Sequence, residues 1–154
     1  MTLTTRTRLI AAAVLGSASL LAGAFFFQAL GYAPCKMCIW QRYPHAVAVL
    51  IGAIALFVPL PALLALGALA ALTTAAIGGY HVGVEQGWWQ GPTSCSSGAV
   101  GGVDADALFD QIMAAPLIRC DEIAWQVAGL SMAGWNMVLS LVLAGFWIAA
   151  LRAR

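Results

Sequence analysis

The chain has 154 residues, of which 62% are hydrophobic and only 8% charged, with a formal net charge of +1. A soluble domain carries roughly 25% charged residues, so this composition excludes an ordinary soluble fold. The few charges form no basic patch for nucleic acid. What remains is one small integral membrane bundle, since each span takes about 20 apolar residues.

The first uncharged stretch lies between Arg8 and Lys36 and predicts a span over residues 9–30. Its apolar run exceeds the roughly 7 to 15 residues of a signal-peptide core, so it reads as a retained anchor. From Tyr43 to Val84 there is again no Asp, Glu, Lys or Arg, and Pro59-Leu60-Pro61 breaks the stretch near its middle. That predicts spans over 41–58 and 62–82 with a tight turn between them. The last uncharged run, from Ile123 to Leu151, holds a span over 133–151, with Trp125 and Trp135 suited to the interface. Helices follow because a chain in lipid must satisfy its backbone internally, and the segments are too long for barrel strands. The fold class is therefore an all-α four-transmembrane-helix bundle in a single domain, with loops over 31–40 and 83–132.

An even number of spans puts both termini on one side. Arg6, Arg8, Arg152 and Arg154 mark that side as cytoplasmic, while all six acids fall between the third and fourth spans. The cysteines share the acids' side: Cys35 and Cys38 in the first outer loop, Cys95 and Cys120 in the second. Thiols on an oxidising outer face spend time as disulfides. Two structural disulfides or a four-cysteine zinc site would also use these residues, but only one short-spaced Cys pair is present, which is poor zinc spacing. A Cys-x-x-Cys disulfide closes a very small ring and adds little chain-entropy stabilisation, so CKMC suits electron exchange better than stapling.

If the second helix begins near Cys38, Arg42 falls on the face of the Cys38 sulfur one turn later, and the positive helix end adds to its effect. Both favour the thiolate, the species that exchanges disulfides. Pro44 disfavours helical geometry at Tyr43, so a helix starting at the proline would leave Arg42 in looser contact. A snorkelling interfacial cation is the bland role for Arg42. In the second loop, Asp104 is an N-cap candidate, and Leu108, Phe109, Ile112 and Met113 recur at helical spacing before Pro116. A short amphipathic surface helix is expected there, with Cys95 upstream on a Gly- and Ser-rich stretch. His45 and His81 lie near the outer ends of their spans, where each is either a packing residue or a donor to a carbonyl of an apolar redox ligand.

The four-span layout, CKMCIWQR at 35 to 42, the histidine closing the third span, the separated loop cysteines and RCDEIAWQVAGLSMAGW resemble the disulfide bond formation protein B (DsbB) family. The resemblance covers nearly the whole chain and is weakest around Cys95. It implies a thiol:quinone oxidoreductase of the bacterial inner membrane, with cytoplasmic termini and periplasmic cysteine loops. Such an enzyme reoxidises a DsbA-like periplasmic thiol oxidase and passes the electrons to ubiquinone or menaquinone. Residue by residue, it implies that Cys95 receives the attack of the soluble partner and that Cys120, its loop partner, then attacks Cys35. Cys38 would be the thiolate beside the quinone, with Arg42 stabilising charge and His81 as a hydrogen-bonding neighbour of the ring. A vitamin K epoxide reductase-like enzyme would place its Cys-x-x-Cys on a late span. A disulfide-stapled subunit would need no quinone.

Overall fold

The computed structural model describes residues 4–92 and 119–153. Cys95 and the amphipathic helix expected from Asp104 lie outside the described residues. Four long helices make up most of the rest: α1 (Thr5–Ala29), α2 (Lys36–Ala55), α3 (Pro61–Glu85) and α4 (Met132–Arg152). Three of them, α1, α3 and α4, are long and apolar enough to cross a membrane. In α2 the first half carries Lys36, Gln41, Arg42 and His45, and the apolar run begins only after them.

Local chemistry sets the helix ends. Thr4 caps α1 by accepting from the backbone of Thr7, and Ser131 caps α4 by accepting from Gly134. Pro61 opens α3 at a first-turn position, where its missing N–H costs nothing. Between α2 and α3 the chain turns within a few residues, so these helices are antiparallel neighbours. Arg6 Nε donates to the carbonyl of Ala150, which ties the start of α1 to the end of α4. Arg6, Arg8 and Arg152 thus share one end of the bundle.

At that end the core is a cluster that includes Ile10, Ala55, Leu64, Leu143 and fully buried Trp147. A side chain at Gly67 would meet the Trp147 ring at 2.7 Å, and one at Gly52 would meet Val14 at 2.0 Å. Glycine at these two positions lets the helices close on the indole, as small residues do in helix packing within lipid. At the other end a second buried cluster joins Cys35, Met37, Val84 and Cys120.

One element has no counterpart in the sequence reading. Gln126–Val127 and Leu130–Ser131 form a two-stranded antiparallel hairpin in which Gln126 faces Ser131 and Val127 faces Leu130. Its two-residue turn puts both Ala128 (φ 51°) and Gly129 (φ 78°) in the left-handed region, as a type I′ turn requires. The hairpin leads straight into α4, and Trp135 of that helix donates its indole N–H back to the Val127 carbonyl.

Candidate functional site

Helix α2 starts at the cysteine pair itself. Cys35 is its N-cap, with an extended backbone, and the Cys35 sulfur accepts the backbone N–H of Cys38 at 3.1 Å. A sulfur stands where serine, threonine or aspartate is usual. The early start settles the geometry of the proline, because Pro44 lies inside the helix instead of opening it. Proline removes one helical hydrogen bond and crowds the preceding turn. The Thr74 hydroxyl of α3 donates to the Gln41 carbonyl at 3.1 Å and so ties α3 to α2 one turn before the proline.

With the helix running from Lys36, Cys38, Arg42 and His45 fall at i, i+4 and i+7 and share one face. All three line a cavity of about 250 Å³ between α1, α2, α4 and the segment before the hairpin. Apolar walls come from residues such as Phe27, Trp125 and Trp135. The Arg42 guanidinium donates to Gln28 Oε1 at 2.6 Å and to the Ala24 carbonyl at 3.3 Å, and lies 4.8 Å from the centroid of the Phe25 ring. Helix α1 therefore holds Arg42 against the cavity.

Cys35 faces the other way. It is buried among Met37, Val84 and Cys120, and its sulfur lies 3.7 Å from His81 Nε2. Both thiols of the pair are free, and Cys120 is disulfide-bonded. The hydrogen bond between the two sulfurs, reinforced by burial, pushes the Cys35 thiol above its usual range. That same bond holds Cys38 below the usual thiol range, against its own burial. Arg42 adds to the effect on Cys38 and Glu85 opposes it, both weaker than the sulfur contact.

Behind the cavity runs a buried polar network that sequence reasoning missed. Gln41 Nε2 donates to the Met37 carbonyl at 3.2 Å and to His81 Nδ1 at 3.1 Å. Asn136 Nδ2 donates to Gln41 Oε1 at 2.7 Å and reaches Thr74 Oγ1 and the Thr74 carbonyl. Asn136 Oδ1 accepts from His45 Nε2 at 2.8 Å. Main-chain carbonyls only accept, so Met37 orients the Gln41 amide and Thr74 orients the Asn136 amide. The polarity of the chain follows. His81 presents a lone pair at Nδ1 and an N–H at Nε2, which donates to the Cys120 carbonyl at 3.1 Å. The one available signal in the sequence was Asn136, a buried amide inside an otherwise apolar segment.

His81 is therefore beside Cys35 and Cys120, and His45 is the histidine on the cavity wall. Cys35, Cys38 and His81 place three metal-ligating atoms within 4.8 Å of one another. Yet the nitrogen that would bind a metal carries the proton donated to Cys120, so this geometry serves a hydrogen bond. The cavity instead suits a flat apolar ring with polar oxygens. Its walls are mostly apolar and aromatic, and Arg42 Nε and His45 Nδ1 are buried there without hydrogen-bond partners.

Comparison with known proteins agrees with this chemistry. The family model described as disulfide bond formation protein DsbB matches residues 6–150. The chain is 34% identical to a disulfide bond formation protein B of Verminephrobacter eiseniae, over 96% of this chain and 86% of that one. It is 27% identical to an uncharacterised protein of Rickettsia prowazekii, over 73% of this chain and 67% of the relative. No solved structure matches it. With the family model covering almost the whole chain, this membrane protein belongs to the DsbB family of disulfide bond formation.

Proposed function

We propose that the chain is a thiol:quinone oxidoreductase that reoxidises a DsbA-like periplasmic thiol oxidase. The observation that carries this reading is the division of the cysteine pair: Cys38 shares the cavity wall with Arg42, while Cys35 packs against Cys120. An apolar acceptor in the bilayer needs the cysteine at the cavity, and a water-soluble partner needs the loop pair.

In this reading a thiolate of the soluble partner attacks Cys95 and displaces Cys120 as a thiolate. Cys120 then attacks the sulfur of Cys35 in the Cys35–Cys38 disulfide. That bond breaks, a Cys35–Cys120 bond forms, and the electron pair goes to Cys38, which leaves as a thiolate on the cavity side. The partner's second thiol resolves its mixed disulfide with Cys95, and the Cys95 thiolate attacks Cys120 to restore the loop disulfide and release Cys35. A quinone in the cavity supplies a two-electron acceptor that takes up two protons. Arg42 offers a fixed cationic donor to its oxygen and to the Cys38 sulfur. His81 holds the Cys120 backbone against Cys35 during the exchange.

We further read residues 41–58, which take in α2 from Gln41 onward, as the fourth span, with Cys35 and Cys38 before it. Exposed Val47, Leu50 and Ile54 give it an outward apolar face. Both termini are then cytoplasmic and the cysteine loops periplasmic, in the inner membrane.

Thiol trapping in membranes tests the relay. With quinone present, the chain should convert added reduced DsbA to its disulfide form, and Cys95→Ser should stop that exchange while Cys35 and Cys38 stay oxidisable by quinone. Loss of both reactions in Cys95→Ser would contradict a two-pair relay.

A further inference from the structure

Two side chains that line the cavity, Arg42 and His45, each hold a buried polar atom without a hydrogen-bond partner, Nε and Nδ1. Buried polar groups are nearly always paired, so two orphans one turn apart, on side chains that share one cavity, point to a ligand that completes them. They are chemically different. Arg42 is a donor only, whereas a neutral histidine is a donor at one nitrogen and an acceptor at the other.

The surrounding network decides which nitrogen is which. The Thr74 carbonyl fixes the Asn136 nitrogen on its own side, so the Asn136 oxygen faces His45 Nε2 at 2.8 Å. Nε2 therefore carries the hydrogen, and the unpartnered Nδ1 carries a lone pair. A lone pair welcomes a hydroxyl and repels a carbonyl oxygen. His45 is 3% exposed, so water does not readily substitute for the missing partner.

We infer that His45 is a selectivity residue, whose Nδ1 accepts the hydroxyl of a hydroquinone and so makes the cavity favour the reduced form of its ligand over the quinone. Arg42 serves an oxygen in either oxidation state and sets no such preference. The inference rests on the quinone reading of the cavity and deepens it. Tighter binding of the reduced form makes the bound acceptor a stronger oxidant toward the Cys35–Cys38 dithiol, at the cost of slower release of the product. Gln41, Thr74 and Asn136 act here as positioning residues, because they hold the imidazole in the tautomer that accepts.

The test is a binding measurement. In a Cys38→Ser background, where the dithiol cannot reduce the ligand, a short-chain benzoquinone and its hydroquinone are titrated anaerobically by equilibrium dialysis into detergent-solubilised protein. The ratio of hydroquinone to quinone affinity should fall about three- to tenfold in His45→Phe, the span of one hydrogen bond. His45→Leu also removes the acceptor with a smaller side chain and should show the same fall, which covers the case in which the phenylalanine variant does not fold. Arg42→Ala should weaken both forms together. An unchanged ratio in the His45 variants, with both forms still binding, overturns the inference and leaves the quinone reading standing. Failure of the His45-containing protein to bind either form removes that reading and the inference with it.

Discussion

His81 Nε2 lies 3.1 Å from the Cys120 carbonyl and 3.7 Å from the Cys35 sulfur, so one imidazole bridges the two cysteine-bearing segments. All three residues are buried, and Gln41 fixes the direction of the bridge by donating to His81 Nδ1. Replacing His81 with phenylalanine should remove a buried donor to the Cys120 carbonyl and the acceptor of one Gln41 N–H. The expected cost is about 1 to 3 kcal/mol of stability. Trapping of the Cys35–Cys120 disulfide should slow while quinone binding at the cavity holds. Equal loss of both would place His81 in a general packing role.

Arg42→Ala should raise the quinone concentration needed for half-maximal turnover by at least about tenfold, since charge-assisted hydrogen bonds contribute roughly 1.5 to 3 kcal/mol. Exchange with reduced DsbA should change little. Arg42→Lys should recover only part of the loss, because a lysine cannot bridge Gln28 and Ala24 with a planar fork. Steady-state turnover against quinone concentration checks this, and an unchanged dependence would remove Arg42 from the site.

The pH dependence of alkylation reports the charge on the pair. Cys38 is held below the usual thiol range and Cys35 above it. Because the rate follows the thiolate fraction, labelling of Cys38 in the reduced protein should set in at a pH below that of an ordinary thiol. Cys35 should stay unlabelled through the range in which a free thiol reacts. Cys35→Ala removes the largest cause of the Cys38 shift and should move the Cys38 profile up in pH. Mass spectrometry of alkylated peptides across pH distinguishes the two cysteines.

Thr74→Val removes a hydroxyl that donates to the Gln41 carbonyl beside Pro44 and accepts from Asn136. Size is conserved, so the loss is of hydrogen bonds alone, about 1 to 3 kcal/mol for groups buried this deeply. Denaturation in detergent is the measurement, and an unchanged stability would show that these hydrogen bonds contribute nothing.

Ala128 occupies the left-handed region at φ 51°. Ala128→Gly should therefore stabilise the hairpin, by up to about 1 kcal/mol, because glycine meets no side-chain penalty there. Slower amide exchange at Val127 and Leu130 would show it.

Much of the architecture was legible because hydropathy and proline act locally. Uncharged runs, Pro59 and Pro61 mark helices and their break without reference to any neighbour. CKMCIWQR likewise announces a redox pair with a cation. The start of α2 was open, since the N-cap role of Cys35 competes with the local preference of Pro44, and the structure puts the cap at Cys35 with Pro44 inside the helix. The hairpin escaped notice because Ala-Gly is a weak turn signal beside Asn-Gly.

By itself the sequence determined that this is an apolar helical chain with four cysteines, two of them spaced Cys-x-x-Cys one turn ahead of a cation. Those properties depend on composition and on spacing along a single element. Only the tertiary structure decided that His45 faces the cavity and His81 faces Cys35 and Cys120, and that Gln41, Thr74 and Asn136 wire the two histidines with opposite ends presented. Hydrogen-bond direction inside a bundle is set by carbonyls contributed from other helices, and no spacing rule along one helix carries that information.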